Sequence, residues 1–118
     1  MWEVEYTDEF HAWWRTLGAG EQDVILYSVG LLEKAGPALG RPHVDTISGS
    51  RHSNMKELRS QIRGRPYRVF FVFDPRRRAV LLIGGDKTGK ARFYDKMVPV
   101  ADRLYETYLT ELKKEGLL

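Results

Sequence analysis

The stretch Met55–Asp86, MKELRSQIRGRPYRVFFVFDPRRRAVLLIGGD, decides how the 118-residue chain is arranged. Tyr67–Phe73 and Ala79–Ile83 are short, nearly continuous runs of Val, Leu, Ile and Phe. Runs of that length between turn signals suit central strands covered on both faces. Asp74-Pro75 and the three arginines after it form the turn between them. Upstream, Met55–Gln61 mixes apolar Met55 and Leu58 with charged Lys56, Glu57 and Arg59, and Arg63-Gly64-Arg65 turns the chain back. The stretch therefore predicts a three-strand antiparallel meander threaded with basic side chains.

Between Arg51 and Arg92 there are twelve cations (Arg51, Lys56, Arg59, Arg63, Arg65, Arg68, Arg76, Arg77, Arg78, Lys87, Lys90, Arg92) and three anions (Glu57, Asp74, Asp86). That is +9 in a chain whose total is +3, so the remaining residues carry −6. A local excess of this kind attracts polyanions and speeds their encounter. The bland alternative is a solvated face of ordinary surface arginines.

The flanking sequence predicts what packs on this sheet. Trp2, Val4 and Tyr6 alternate with Glu3 and Glu5, a half-buried strand expected to join the meander as its fourth member. Thr7 caps a helix in which Phe10, Trp13, Trp14 and Leu17 form one apolar stripe, ended by Gly18. A second helix is expected over Glu21–Ala35, stopped by Gly36-Pro37. The two make an αα-hairpin whose aromatic face covers the sheet. Ala38–Asn54 has no periodicity and reads as a long loop. Pro99 suits the first turn of a last helix, with Ala101, Leu104, Tyr105, Tyr108 and Leu112 on its apolar face. The fold class is α+β, with an antiparallel sheet of about four strands in one domain spanning 1–118.

Composition narrows the function classes. The 42% apolar and 30% charged residues are those of a globular protein, and the absence of cysteine excludes disulfides and thiolate metal sites. The acidic opening MWEVEY reads as a strand rather than a secretory leader, and no apolar run approaches membrane-spanning length, so a cytosolic, membrane-free protein is expected. His11, His43 and His52 have no paired spacing, so no metal or other cofactor is expected. Gly84-x-x-x-x-Gly89-Lys90 nearly spells a phosphate loop, but Ala91 stands where a hydroxyl should hold magnesium, and no later strand remains.

Metal-free chemistry on a phosphodiester needs cations for the developing charge and a proton acceptor and donor on either side of phosphorus. Arg59 and Arg68 on neighbouring strands, with Lys87, Lys90 and Tyr94 beyond the last strand, supply these types. Arg59 and Arg68 would grip the phosphate, and Lys87 or Tyr94 would handle the 2′-OH or leaving-oxygen proton. The same residue types describe a passive RNA-binding module. Arg68 could also simply pair with Glu57 across the sheet.

At these residues the chain resembles a family. Gly49-Ser50-Arg51-His52-x-Asn54-Met55-Lys56-Glu57-Leu58-Arg59, Tyr67-Arg68-Val69-Phe70-Phe71 and the Leu-Leu-Ile-Gly-Gly-Asp-Lys strand are similar to HigB-type toxins of the RelE/ParE superfamily, phage-derived relatives included. The resemblance implies a microbial RNase-like fold, cleavage of mRNA in the ribosomal A site, and neutralisation by a helix-turn-helix, HigA-like antitoxin. Arg59, Arg68 and Lys87 match basic positions of the family pattern and Tyr94 matches a late aromatic loosely, which implies catalytic roles for these four; the basic segment itself is expected to put Arg51, His52, Lys56, Arg65, Lys90 and Arg92 on the RNA. The family's Lys-Lys-Thr run is replaced here by Asp86-Lys87-Thr88-Gly89-Lys90, which leaves the general base open. The alternative within the superfamily is a ParE-like, non-catalytic poison of DNA gyrase; the basic strand face favours RNA.

Overall fold

A computed structural model describes residues 1–118. Its elements, in chain order, are β1 (Val4–Tyr6), α1 (Asp8–Trp14), α2 (Ala19–Ala35), β2 (Val44–Thr46), β3 (Lys56–Ile62), β4 (Arg65–Phe73), β5 (Ala79–Asp86) and α3 (Phe93–Lys114). The strands form one sheet in the order β1-β5-β4-β3-β2. The expected meander is β3-β4-β5, and its first hairpin closes through Arg63 and Gly64, both at positive φ (52° and 78°). That is the backbone a two-residue hairpin loop demands.

Both faces of the sheet are covered, which is why β4 and β5 read as continuous apolar runs. Val69 and Phe71 pack with Phe10, Ile25 and Leu32 on the α1–α2 side. Phe70 and Val72 pack with Val98, Ala101 and Leu104 on the α3 side. Phe70 and Phe71 are each fully buried, and a phenylalanine so placed contributes roughly 2–3 kcal/mol of transfer free energy.

The structure departs from the sequence reading in four places. The sheet has five strands rather than about four, because Val44–Thr46 inside the expected loop pairs with β3, Val44 opposite Leu58. A three-residue strand is too short to show a period. β1 joins the meander at β5, but in parallel, Val4 opposite Ala79. α1 stops at Trp14; the chain then tightens through Thr16 N–H to the Trp13 carbonyl (2.9 Å), and Leu17 still packs on the core. Most consequential, the last helix begins at Phe93 and carries Pro99 in its interior. Proline at that position removes the bond to the Asp95 carbonyl. Asp95 and Pro99 are both exposed, which leaves the carbonyl open to solvent, while buried Val98 and Ala101 hold the helix to the sheet.

Gly84 and Gly85, set out in the sequence as part of a near phosphate loop, are strand residues of β5. A Cβ on Gly84 would run into the Trp13 ring, and one on Gly85 would lie 2.9 Å from Phe93. The missing side chains let an aromatic ring settle on each face of the strand.

Candidate active site

The strand register brings the catalytic candidates together. Arg59 lies directly opposite Arg68, and Glu57, two residues before Arg59, shares its face of the sheet. This is the α3 face, since Phe70 of β4 has the same parity as Arg68 and packs under α3. The first turn of α3 then lowers Tyr94 onto the pair. Had the helix begun at Pro99, Tyr94 would have been a loop residue.

Glu57 is the centre of the cluster. The Tyr94 hydroxyl donates to its Oε1 at 2.6 Å, and Arg68 Nε stands 3.3 Å from the same oxygen and 3.3 Å from the Tyr94 oxygen. Arg59 Nε approaches Oε2 at 3.9 Å. Lys87 Nζ lies over the Tyr94 ring, 5.2 Å from its centre. Glu57 and Arg68 are each only 5% exposed, whereas Arg59 and Tyr94 are partly open to solvent. Arg68 Nη1 donates to the Tyr67 carbonyl at 3.0 Å, and no group of the chain takes Nη2. Arg68 is therefore fixed on three sides and presents one nitrogen outward. The cross-strand Arg68–Glu57 pair forms, but inside a larger arrangement: two arginines and a phenol around one buried carboxylate, with Lys87 over the phenol ring.

The Tyr94 hydroxyl is pushed above the ordinary tyrosine range, by burial first and by its bond to Glu57 second, with Arg68 opposing. The cationic surroundings do not prevail, so Tyr94 is a proton donor at neutral pH.

The other basic candidates divide. Lys90 and Arg92 lie on the exposed turn into α3, next to the cluster, Arg92 facing Asp95 at 3.4 Å. Arg51 and His52 are drawn to α3: Arg51 Nε and His52 Nε2 meet Glu106 at 3.0 and 2.8 Å, and Ser50 Oγ and Arg51 N–H bond Asp102 at 2.5 and 3.0 Å. Lys56 and Arg65 have the strand parity of Leu58 and Tyr67, so they project to the α1–α2 face, where Arg65 meets Asp86 at 3.5 Å. Glu57 enters the sequence reading only as a cross-strand partner for Arg68, not as a site residue; its signal is a single acid within the basic strand motif.

Two solved structures share this architecture. The isolated E. coli RelE toxin superposes with a TM-score of 0.58 over 84% of this chain and 97% of its own, at 12% identity. A mutant of the same E. coli toxin in the free state, with two arginines replaced by alanine, gives 0.56 over 81% and 94%, at 10% identity. The protein thus has the RelE-like fold: a small α+β domain with a five-stranded sheet and a C-terminal helix. The family model described as "Phage derived protein Gp49-like (DUF891)" matches residues 12–106, and the chain belongs to that family, together with HigB-type relatives. The putative toxin HigB3 of Mycobacterium tuberculosis is 44% identical over 82% of this chain and 84% of its own length. The putative toxin HigB2 of the same organism is 39% identical over 90% of this chain, which spans about half (54%) of that relative's length.

Proposed function

We propose that the protein is the toxin of a toxin–antitoxin pair and that it cleaves mRNA, on the ribosome, by attack of a ribose 2′-OH on the adjacent phosphodiester, without a metal ion. The observation that carries this reading is the convergence of Arg59, Arg68 and Tyr94 on Glu57, with Lys87 over the Tyr94 ring. A buried ion pair is weak support for stability, since apolar replacements of similar volume are often neutral or better. Its place at the edge of the α3 core is accounted for by what it positions. Arg59 and the outward nitrogen of Arg68 hold the phosphate and take the charge that develops on it. Tyr94 gives its proton to the leaving 5′-oxygen, and the proton of the attacking 2′-OH passes to the neutral amine of Lys87. Placement on paired strands keeps the cations in position before substrate arrives.

The expected partner is a cognate helix-turn-helix, HigA-like antitoxin that covers the basic segment or holds α3 against it. Action on mRNA places the protein in the cytoplasm; no helix is long and apolar enough to cross a membrane. Inducing the protein in cells and mapping mRNA 5′ ends tests the reading. New ends within translated codons support it. Unaltered mRNA together with blocked DNA supercoiling would replace it with gyrase poisoning.

A further inference from the structure

Beyond the Glu57 cluster, a groove of about 700 Å³ runs between α1 and the start of α3. Half-buried Trp13, Leu17 and Met97 give it an apolar floor along the backbone of Gly84 and Gly85. Exposed Lys90, Arg92 and Lys96 form its rim. Lys90 and Lys96 make no ion pair, and Arg92 has only the exposed Asp95. The one carboxylate on the lining, Asp86, is already engaged by Thr88 and Arg65.

The groove adjoins the candidate active site through Gly85 and Phe93. Gly85 is the cross-strand partner of Arg68, and neighbouring strands lie about 4.8 Å apart. Phe93, above Gly85, touches Tyr94, the ring centres 5.3 Å apart. The turn closed by Lys90 N–H on the Lys87 carbonyl directs Lys87 toward the cluster, while Lys90 lines the groove. Unpaired cations beside a part-exposed indole are what a single-stranded nucleic acid uses, a ring to stack a base and charges for its phosphates.

We propose that this groove is a nucleotide subsite. It holds a base of the RNA strand against Trp13 and Met97, one step along from the nucleotide at Glu57, with Lys90, Arg92 and Lys96 on its phosphates. The inference rests on the ribonuclease reading and adds to it where the strand runs.

The test uses a short, fluorescently labelled single-stranded RNA. Its affinity is measured across a salt titration for the wild type, Lys90→Glu/Lys96→Glu and Arg59→Ala. Tryptophan emission is followed in Trp2→Phe/Trp14→Phe, where Trp13 is the sole indole. The expected results are quenching of Trp13 by RNA, at least tenfold weaker binding on charge reversal, and a salt slope reduced by about 1.4, two phosphate contacts at about 0.7 each. Wild-type affinity and slope in the reversal variant, with Trp13 unquenched, overturn the subsite; if Arg59→Ala still weakens binding, the ribonuclease reading stands. Stronger competition by polyglutamate than by unlabelled RNA also overturns it, in favour of an acidic protein segment. Failure of the wild type to bind RNA at all removes the ribonuclease reading and the subsite with it.

Discussion

Tyr94 and Glu57 come from opposite ends of the site, a helix turn and a strand, and the Tyr94 hydroxyl donates to the Glu57 carboxylate over 2.6 Å beside the Arg68 guanidinium. That contact turns a basic sheet face into a site with a proton donor, a fixed cation and a buried counter-charge.

Arg68 pairs with Glu57 in the fold, and the proposed mechanism gives it a second, separable duty on the phosphate. Arg68→Ala leaves Glu57 buried without its main ion-pair partner, and loss of one partner of such a pair costs about 3–5 kcal/mol of stability. Arg68→Lys keeps the charge but not the fork. It is expected to fold normally and to lose roughly 3 kcal/mol of transition-state stabilisation, about a hundredfold in cleavage rate. Urea unfolding and cleavage of ribosome-bound mRNA, measured on both variants, separate the two. Wild-type cleavage by both would move the phosphate clamp to Lys87 and Lys90.

In the proposed mechanism Tyr94 acts in its protonated form, and its pKa is raised, so that form persists below the folded value and is lost only as pH climbs through it. The alkaline limb of the cleavage profile should therefore lie above the ordinary tyrosine value of about 10. Tyr94→Phe should lower the rate on the order of a hundredfold and remove that limb. A limb near pH 7 that survives Tyr94→Phe would assign the titration elsewhere.

Glu106 ties the 50–52 segment to α3, and Arg51 first, then His52, hold its pKa down to about 2. A depressed carboxylate contributes stability above its unfolded value and loses it as pH falls through the folded one. The melting-temperature difference between wild type and Glu106→Gln should be constant above about pH 5.5 and close as pH falls from 4.5 toward about 2. A difference unchanged down to pH 2 would mean that the carboxylate charge does not hold the segment.

Gly84 should tolerate no side chain. Gly84→Ala drives a methyl group into the Trp13 ring, and such overpacking costs about 1–3 kcal/mol. Thermal unfolding measures it, and relief by Trp13→Leu in the same chain would show that the ring is the obstacle.

What the sequence made legible was what repeats. The covered strands announced themselves because Val69–Val72 alternates between two cores, leaving no polar position. The αα-hairpin was carried by Phe10, Trp13 and Trp14 at helical spacing. What does not repeat was not legible: β2 is three residues long and owes its existence to β3, and the start of α3 was obscured by Pro99, a helix breaker tolerated because its orphaned carbonyl faces water. The catalytic candidates were readable as residue types, and strand parity would have moved Lys56 and Arg65 off the site face. Glu57 was harder, because an acid among arginines looks like charge balance until the register places it beneath Tyr94.

The central claim is attack by a 2′-OH, and a matched pair of RNA oligonucleotides tests it, one all-ribose and one with a single 2′-deoxy sugar at the cleaved position. They are presented in the ribosomal A site to the wild-type protein. The account predicts cleavage of the all-ribose strand, with a 2′,3′-cyclic phosphate on the upstream fragment, and none of the 2′-deoxy strand. Equal cleavage of the two strands would contradict it.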